Sequence, residues 1–165
     1  MAREKKVGIG AVNITMHPHS PDLYAQLIKD AKKLKCFSRL SKDKAGLIAS
    51  VYYHDKSKGR SSPLTGDLYR FSDIDLEGNW FNTQTNQHAE ENDLKGVSIP
   101  EHLKPNSSRF SYIFFPETHV LFYESYYDGH SLSNRSVLKL IEGSLNDPRL
   151  VQKYGVVDVT VIPSR

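Results

Sequence analysis

Apolar residues recur along this chain with two alternating periods, and the changes of period mark out its elements. Val7 to Met16 is short and rich in β-formers, and His17-Pro18-His19-Ser20-Pro21 punctuates it, so a strand is expected there. The period then becomes helical. Leu23, Leu27, Ala31 and Leu34, with Tyr24 and Ile28, form one stripe behind Ser20 as N-cap and Pro21 as first helical residue. Lys32, Lys33 and Lys35 crowd its last turn, where the helix dipole favours cations. Phe37 to Leu40 and Ala45 to His54, around a Ser41 to Lys44 turn, read as a hairpin. Lys56 to Ser62 is a polar basic loop, and Leu64 to Phe71 is a further strand in which Gly66 permits a bulge.

From Ser72 to Ser108 the periodicity dissolves into acidic and amide-rich sequence with Gly78, Gly96, Pro100 and Pro105. So long a stretch inside a domain predicts an insertion with short elements of its own, around Trp80-Phe81 and Val97 to Leu103. Arg109 to Phe115 and His119 to Tyr126 are dense in aromatics and separated by Pro116-Glu117-Thr118, which predicts an antiparallel hairpin. A second helix follows, capped by Ser131 or Ser133, buried through Val137, Leu138, Ile141 and Leu145, and ended by Asp147-Pro148. Val156 to Ile162 closes the chain as a strand with Val157, Val159 and Val161 on one face. The expected class is α+β: a ferredoxin-like βαββαβ sandwich with an extra hairpin and a long insertion at about 72–108. Two helices then cover one sheet face and leave the other free for a ligand, a partner or a second copy of the chain.

At 165 residues the chain suits one domain, burying on the order of 70% of its unfolded surface. A single cysteine, Cys36, rules out an intramolecular disulfide and a cysteine-based zinc site within one chain, which fits a reducing cytosol, and it is expected as a small core or edge residue. Mean hydropathy is −0.51, no stretch approaches the roughly 18 apolar residues of a membrane span, and the N-terminus reads as no signal peptide. A cytoplasmic protein without a membrane partner is expected. The net charge of +3 conceals an asymmetry: residues 1–60 hold 13 Lys/Arg against 5 Asp/Glu, and residues 61–165 hold 9 against 14. The basic first part points to an anionic partner, while the acidic remainder can screen that surface or dock a protein.

Three groups of residues can carry function. Lys29, Lys32, Lys33, Lys35, Arg39, Lys42 and Lys44, extended by Lys56, Lys58 and Arg60, can converge as a phosphate-tracking surface, against the plainer reading of a solvated face. In the aromatic hairpin, Phe110, Tyr112 and Phe114 share one sheet face, with Ile113 and Phe115 on the other. If the first face is open, Tyr112 and Phe114 offer rings for base stacking beside Arg109 for a phosphate. If both faces are covered, the rings are core. The segment is loosely like the RNP1 signature of RNA-recognition motifs but lacks its glycine after the basic residue. Third, His17 and His19 sit where the first strand hands over to the first helix, a place suited to acid–base work on an RNA 2′-hydroxyl, as in ferredoxin-like CRISPR-repeat endoribonucleases, an analogy of fold alone. Turn formation and capping are the plainer role. Asp73, Asp75, Glu90 and Glu91 read as a solvated acidic loop, and no spacing calls for a metal or a cofactor.

Val7-Gly8-Ile9-Gly10-Ala11-Val12-Asn13-Ile14, the His17 to Pro21 run, Gly66 to Asp75, Trp80-Phe81-Asn82 and Ile99 to Asn106 together resemble a bacterial family of unknown function associated with mobile elements and phage defence. The resemblance spans the chain and implies an N-terminal domain of a longer protein. Arg109 to Ile162 is also similar in pattern to the N-terminal region of the exclusion protein of lambdoid phages, a DNA-binding defence component. These resemblances imply phage exclusion through binding of DNA or RNA and association with partners. The leading expectation is a non-enzymatic nucleic-acid-binding module. A metal-independent endoribonuclease using His17 and His19 is the alternative, and a protein-interaction module docking through the acidic insertion is the third.

Overall fold

The computed structural model describes residues 3–164 and shows a mixed α+β fold. Strand β1 (Val7–Thr15) leads through the His17 to Ser20 corner into helix α1 (Pro21–Lys33). There follow β2 (Phe37–Arg39), β3 (Lys44–Ile48), β4 (Tyr52–Tyr53), a basic 3₁₀ segment (Lys56–Ser61) and β5 (Leu64–Ser72). The insertion contains its own two-stranded ladder, β6 (Phe81–Asn82) with β7 (Gln87–His88), and a 3₁₀ segment (Glu91–Gly96). The long hairpin β8 (Ser108–Phe115) and β9 (Val120–Tyr127), the short β10 (His130–Ser131), helices α2 (Asn134–Leu145) and α3 (Pro148–Tyr154), and β11 (Asp158–Ile162) complete the chain.

The main sheet is antiparallel in the order β11-β1-β9-β8-β5-β3-β2, with β4 added beside β5 and β10 beside β9. It curls into a half-barrel. The curl is organised by α2, which touches β2 and β3 near one edge and β11 at the other. Bare backbone lets it approach. A Cβ on Gly46 of β3 would come within 2.5 Å of the Leu140 side chain, and the Ser38 hydroxyl of β2 donates to the Lys139 carbonyl at 2.8 Å.

Helix α1 forms because its apolar positions fall on one side. Tyr24, Ala25, Leu27, Ile28 and Ala31 are buried, and each of Leu27 and Ile28 contributes about 1.5–3 kcal/mol by leaving water. Pro21 opens it, though the Ser20 side chain makes no capping bond. Ser133 does cap α2, accepting from Ser136 N–H. Asp147-Pro148, expected only to stop α2, also starts α3: the Asp147 carboxylate accepts from Arg149 N–H and Pro148 is the first helical residue. Here the Arg149 side chain, and after it its backbone N–H, holds the Asp147 carboxyl at about 2. Cys36 is buried, and burial pushes its thiol up.

One strand expectation is corrected. Ala45 to His54 is not one unbroken strand: β3 ends at Ile48 and β4 resumes at Tyr52, both antiparallel to β5, with residues 49–51 out of the ladder between them. Gly66 does permit a bulge, but on the neighbouring strand: β5 pairs with β8 in unbroken register, whereas between Ile48↔Leu68 and Tyr52↔Thr65 the β3–β4 side carries one extra residue opposite Gly66, and a further shift falls between Gly8 and Ile9 of β1. The insertion is tied down where it leaves and rejoins the sheet. Ser72 N–H donates to the Pro105 carbonyl at 2.8 Å, and Asp73 binds Lys104 at 2.8 Å and Arg39 at 2.7 Å. The Lys104 hydrogen bond, then the charges of Lys104 and Arg39, hold the Asp73 carboxyl below the usual carboxylate range against the opposing pull of burial.

Depressed folded-state carboxyls make stability acid-sensitive: what they contribute is complete above the unfolded value near 4 and is lost as pH falls through the folded values. Asp30, Asp73 and Asp147 are all lowered. The urea midpoint is therefore expected to stay level from pH 7 to about 5 and to fall between about pH 4 and 2. Asp73→Asn should fall less steeply over that acid range. A midpoint that rises on acidification contradicts these ties.

Candidate functional site

Strands β1 and β9 run antiparallel, so the end of the first lies beside the start of the second. This brings His19, just before α1, to His119, the last residue of the β8–β9 turn. Their rings meet edge-on with centroids 5.2 Å apart. His119 is held twice from β1: its carbonyl accepts from Ile14 N–H at 2.9 Å and its Nδ1 pairs with the Asn13 Oδ1. It occupies left-handed backbone, φ 48°. His19 is held by Tyr24 of α1, whose hydroxyl pairs with its Nδ1 at 3.1 Å and accepts from Met16 N–H at 3.1 Å. The fully buried Tyr24 ring lies 5.3 Å from His19 and nearly parallel to His119 at 6.0 Å. Both Nδ1 atoms are thus committed to the protein, which leaves both Nε2 atoms for another molecule. His19 is exposed and His119 half-buried.

The expected pairing of His17 with His19 is not what the fold builds. His17 turns to β11, where its Nε2 stands 3.9 Å from the Asp158 carboxylate, both side chains largely exposed. His119 was the missed partner. No periodicity or motif joins residues 19 and 119, and only the antiparallel order of their strands does.

Of the predicted cations, seven lie along α1 and its neighbour. Asp22, Gln26, Lys29 and Lys33 share one side of α1 by their spacing, a stripe about 17 Å long. The basic 3₁₀ segment packs on its head. Arg60 comes within 3.9 Å of the Asp22 carboxylate, and the Lys29 ammonium sits over the Tyr53 ring at 3.8 Å. Residues 20–35 and 55–61 together carry seven cations against three carboxylates. Of these carboxylates Asp55 is turned into its own segment by Ser57, and Asp30 is taken by Tyr154 and Lys153 of α3. Lys32, Lys33, Lys35, Lys56 and Lys58 are exposed, and none has a carboxylate within 4 Å among the described residues.

Arg39, Lys42 and Lys44 stand apart from the basic 3₁₀ segment. They belong to the β2–β3 end of the sheet, where Lys44 pairs with Ser72, whereas the 3₁₀ segment precedes Leu64 at the opposite end of β5, about 26 Å away. Arg39 is held by Asp73 and the Lys44 ammonium donates to the Ser72 hydroxyl at 3.1 Å, while Lys42 remains exposed.

The aromatic hairpin requires a correction. Phe110, Tyr112 and Phe114 are 0%, 5% and 0% exposed, packed under the helices, so no base can stack on Tyr112 or Phe114. The Tyr112 hydroxyl donates to the Ser50 carbonyl at 2.8 Å, and burial, then the nearby Asp67, pushes the phenol well up. Arg109 lies on the opposite, open face, opposite Tyr69. There, Ile162, Ala11, Phe122 and Ile113 stand in one cross-strand row, with Phe115 edge-on to Phe122 at 6.0 Å. Period two set these faces apart but could not choose between them, because both are apolar.

Among the described residues no group of three or more His, Cys, Asp or Glu side chains is placed to hold a metal ion, and no helix is long and apolar enough to cross a membrane. His130 pairs with Ser108. The acidic residues Asp75, Glu90 and Glu91 are exposed on the insertion, as expected of a solvated loop.

The model of a family described as a domain of unknown function, DUF4747, matches residues 5–165. The chain belongs to that family. No curated protein and no solved structure matches it. The surfaces a DUF4747 domain of this sequence offers to another molecule are the histidine pair, the basic face of α1 with the 3₁₀ segment, and the open sheet face.

Proposed function

We propose that this chain is a nucleic-acid-binding module that tracks a phosphate backbone along α1 and the basic 3₁₀ segment. The observation that carries the reading is this basic surface: five exposed lysines with no carboxylate within 4 Å among the described residues, Lys32, Lys33 and Lys35 at the C-terminal end of α1 and Lys56 and Lys58 in the segment packed on its head. Such a row suits successive phosphates and no particular base sequence, and binding through it requires no reaction by the protein. The four strands β11-β1-β9-β8, with α1 and α2 between them in the chain, support reading the centre of the fold as ferredoxin-like, extended at one edge by β5, β3 and β2. The resemblance to proteins of mobile elements supports a place in a prophage or mobile-element defence system, and the single cysteine supports a cytosolic setting.

Fluorescence anisotropy with a labelled single-stranded RNA and a labelled DNA duplex, at 50 and 200 mM salt, tests the reading. Engaging three phosphates is expected to weaken binding about 20-fold for the single strand and about 40-fold for the duplex over that range. Affinity for both that is indifferent to salt would discard it.

A further inference from the structure

We propose that His19 and His119 form an acid–base pair that cleaves RNA bound along the α1 stripe, by transesterification at the 2′-hydroxyl. The proposal rests on the binding reading and adds a reaction to it. Two imidazoles separated by 100 positions are set edge-on at 5.2 Å, and each is fixed through Nδ1 by a different residue, Asn13 for His119 and Tyr24 for His19. Neither Nε2 has a partner among the described residues. Since Oδ1 of Asn13 accepts, Nδ1 of His119 carries the proton and its Nε2 presents a lone pair, which is what a general base needs. The Tyr24 hydroxyl can pair with Nδ1 of His19 in either protonation state of that ring, so the exposed His19 can be an imidazolium with Nε2–H outward. The pair lies at the head of α1, the end on which the segment bearing Lys56, Lys58 and Arg60 packs, so a backbone following the stripe passes it.

In the reactive form His119 is neutral and His19 protonated. Nε2 of His119 takes the proton of a ribose 2′-hydroxyl, whose oxygen attacks the adjacent phosphorus. The bond from phosphorus to the 5′-oxygen breaks, and Nε2–H of His19 delivers its proton to that leaving oxygen. The products are a 2′,3′-cyclic phosphate and a 5′-hydroxyl, with His119 now protonated and His19 neutral until both exchange protons with water. The nucleophile belongs to the substrate, so the substrate class is RNA and DNA is a non-cleaved ligand of the same surface. Asn13 and Tyr24 are positioning residues.

The test incubates the intact protein with end-labelled single-stranded RNA in EDTA and follows both binding and product ends. The expected result is cleavage to 2′,3′-cyclic phosphate and 5′-hydroxyl ends, none with a 2′-O-methyl RNA of the same sequence, and a fall of at least about 100-fold in His19→Ala and His119→Ala with RNA affinity unchanged. His119→Asn, whose residue type tolerates the left-handed backbone, should lose activity equally while keeping the fold. His17→Ala should cleave as the parent does. RNA bound but left intact overturns the pair as catalytic and leaves the binding reading standing. Absence of binding overturns both. Cleavage that persists in His119→Asn and His19→Ala also overturns the pair.

Discussion

Replacing Lys32, Lys33, Lys56 and Lys58 together by glutamine is expected to lower affinity for single-stranded RNA on the order of 100-fold at 0.1 M salt. Each lysine that neutralises a phosphate releases a condensed counterion, and that entropy is lost when the charge is removed. These four are exposed and lack a carboxylate within 4 Å among the described residues, so their loss breaks no ion pair of the fold. The natural comparison is Lys42→Gln with Arg109→Gln, which remove as exposed a pair of charges from elsewhere. Lys42 lies in the β2–β3 turn and Arg109 on the open sheet face, so the double variant should bind within a few-fold of the parent. An unaffected quadruple variant, measured by anisotropy beside that control, would remove α1 from the interface.

Gly66→Ala is expected to destabilise the fold by about 2–3 kcal/mol, with a fall in Tm of about 5–10 °C. A Cβ at this position would lie 2.0 Å from the Ser50 carbonyl oxygen and 2.7 Å from its carbon. Those atoms are backbone and cannot rotate away. The Ser50 carbonyl also accepts from the buried Tyr112 hydroxyl, and the Ser50 hydroxyl accepts from Asp67 N–H at 2.9 Å, so moving Ser50 breaks two further bonds. Gly96→Ala, at a site with nothing within 4 Å, should change stability by less than about 0.5 kcal/mol. Urea unfolding of both variants settles the comparison, and equal midpoints would mean that Ser50 does not press on β5.

The same residues show how far the sequence can be read. Helix α1 was legible because a helical stripe needs only local spacing, and the long hairpin because two aromatic runs flank a short Pro-containing turn. Ser50 was not legible: Leu47 to Tyr53 is rich in β-formers throughout, and what interrupts it is a contact with Gly66 and Tyr112 from other strands. Asp147-Pro148 reads as a stop because a proline cannot continue α2, yet the same two residues are an N-cap and first helical residue of α3. The cations were legible as a list but not as a surface, since the length of β5 separates the 3₁₀ segment from the β2–β3 end. The histidine pair is the extreme case. His17 and His19 look coupled by adjacency, whereas strand pairing couples His19 to His119 and leaves His17 at Asp158.

The claim on which the rest depends is that α1 and the basic 3₁₀ segment meet a polyanion. The most direct measurement is the slope of log affinity against log salt for single-stranded RNA, taken for the parent and for the quadruple lysine variant. The parent should show a steep negative slope, and the variant should be shallower by about 3, the share of four phosphate contacts on a single strand. Identical slopes in the two proteins would contradict the account.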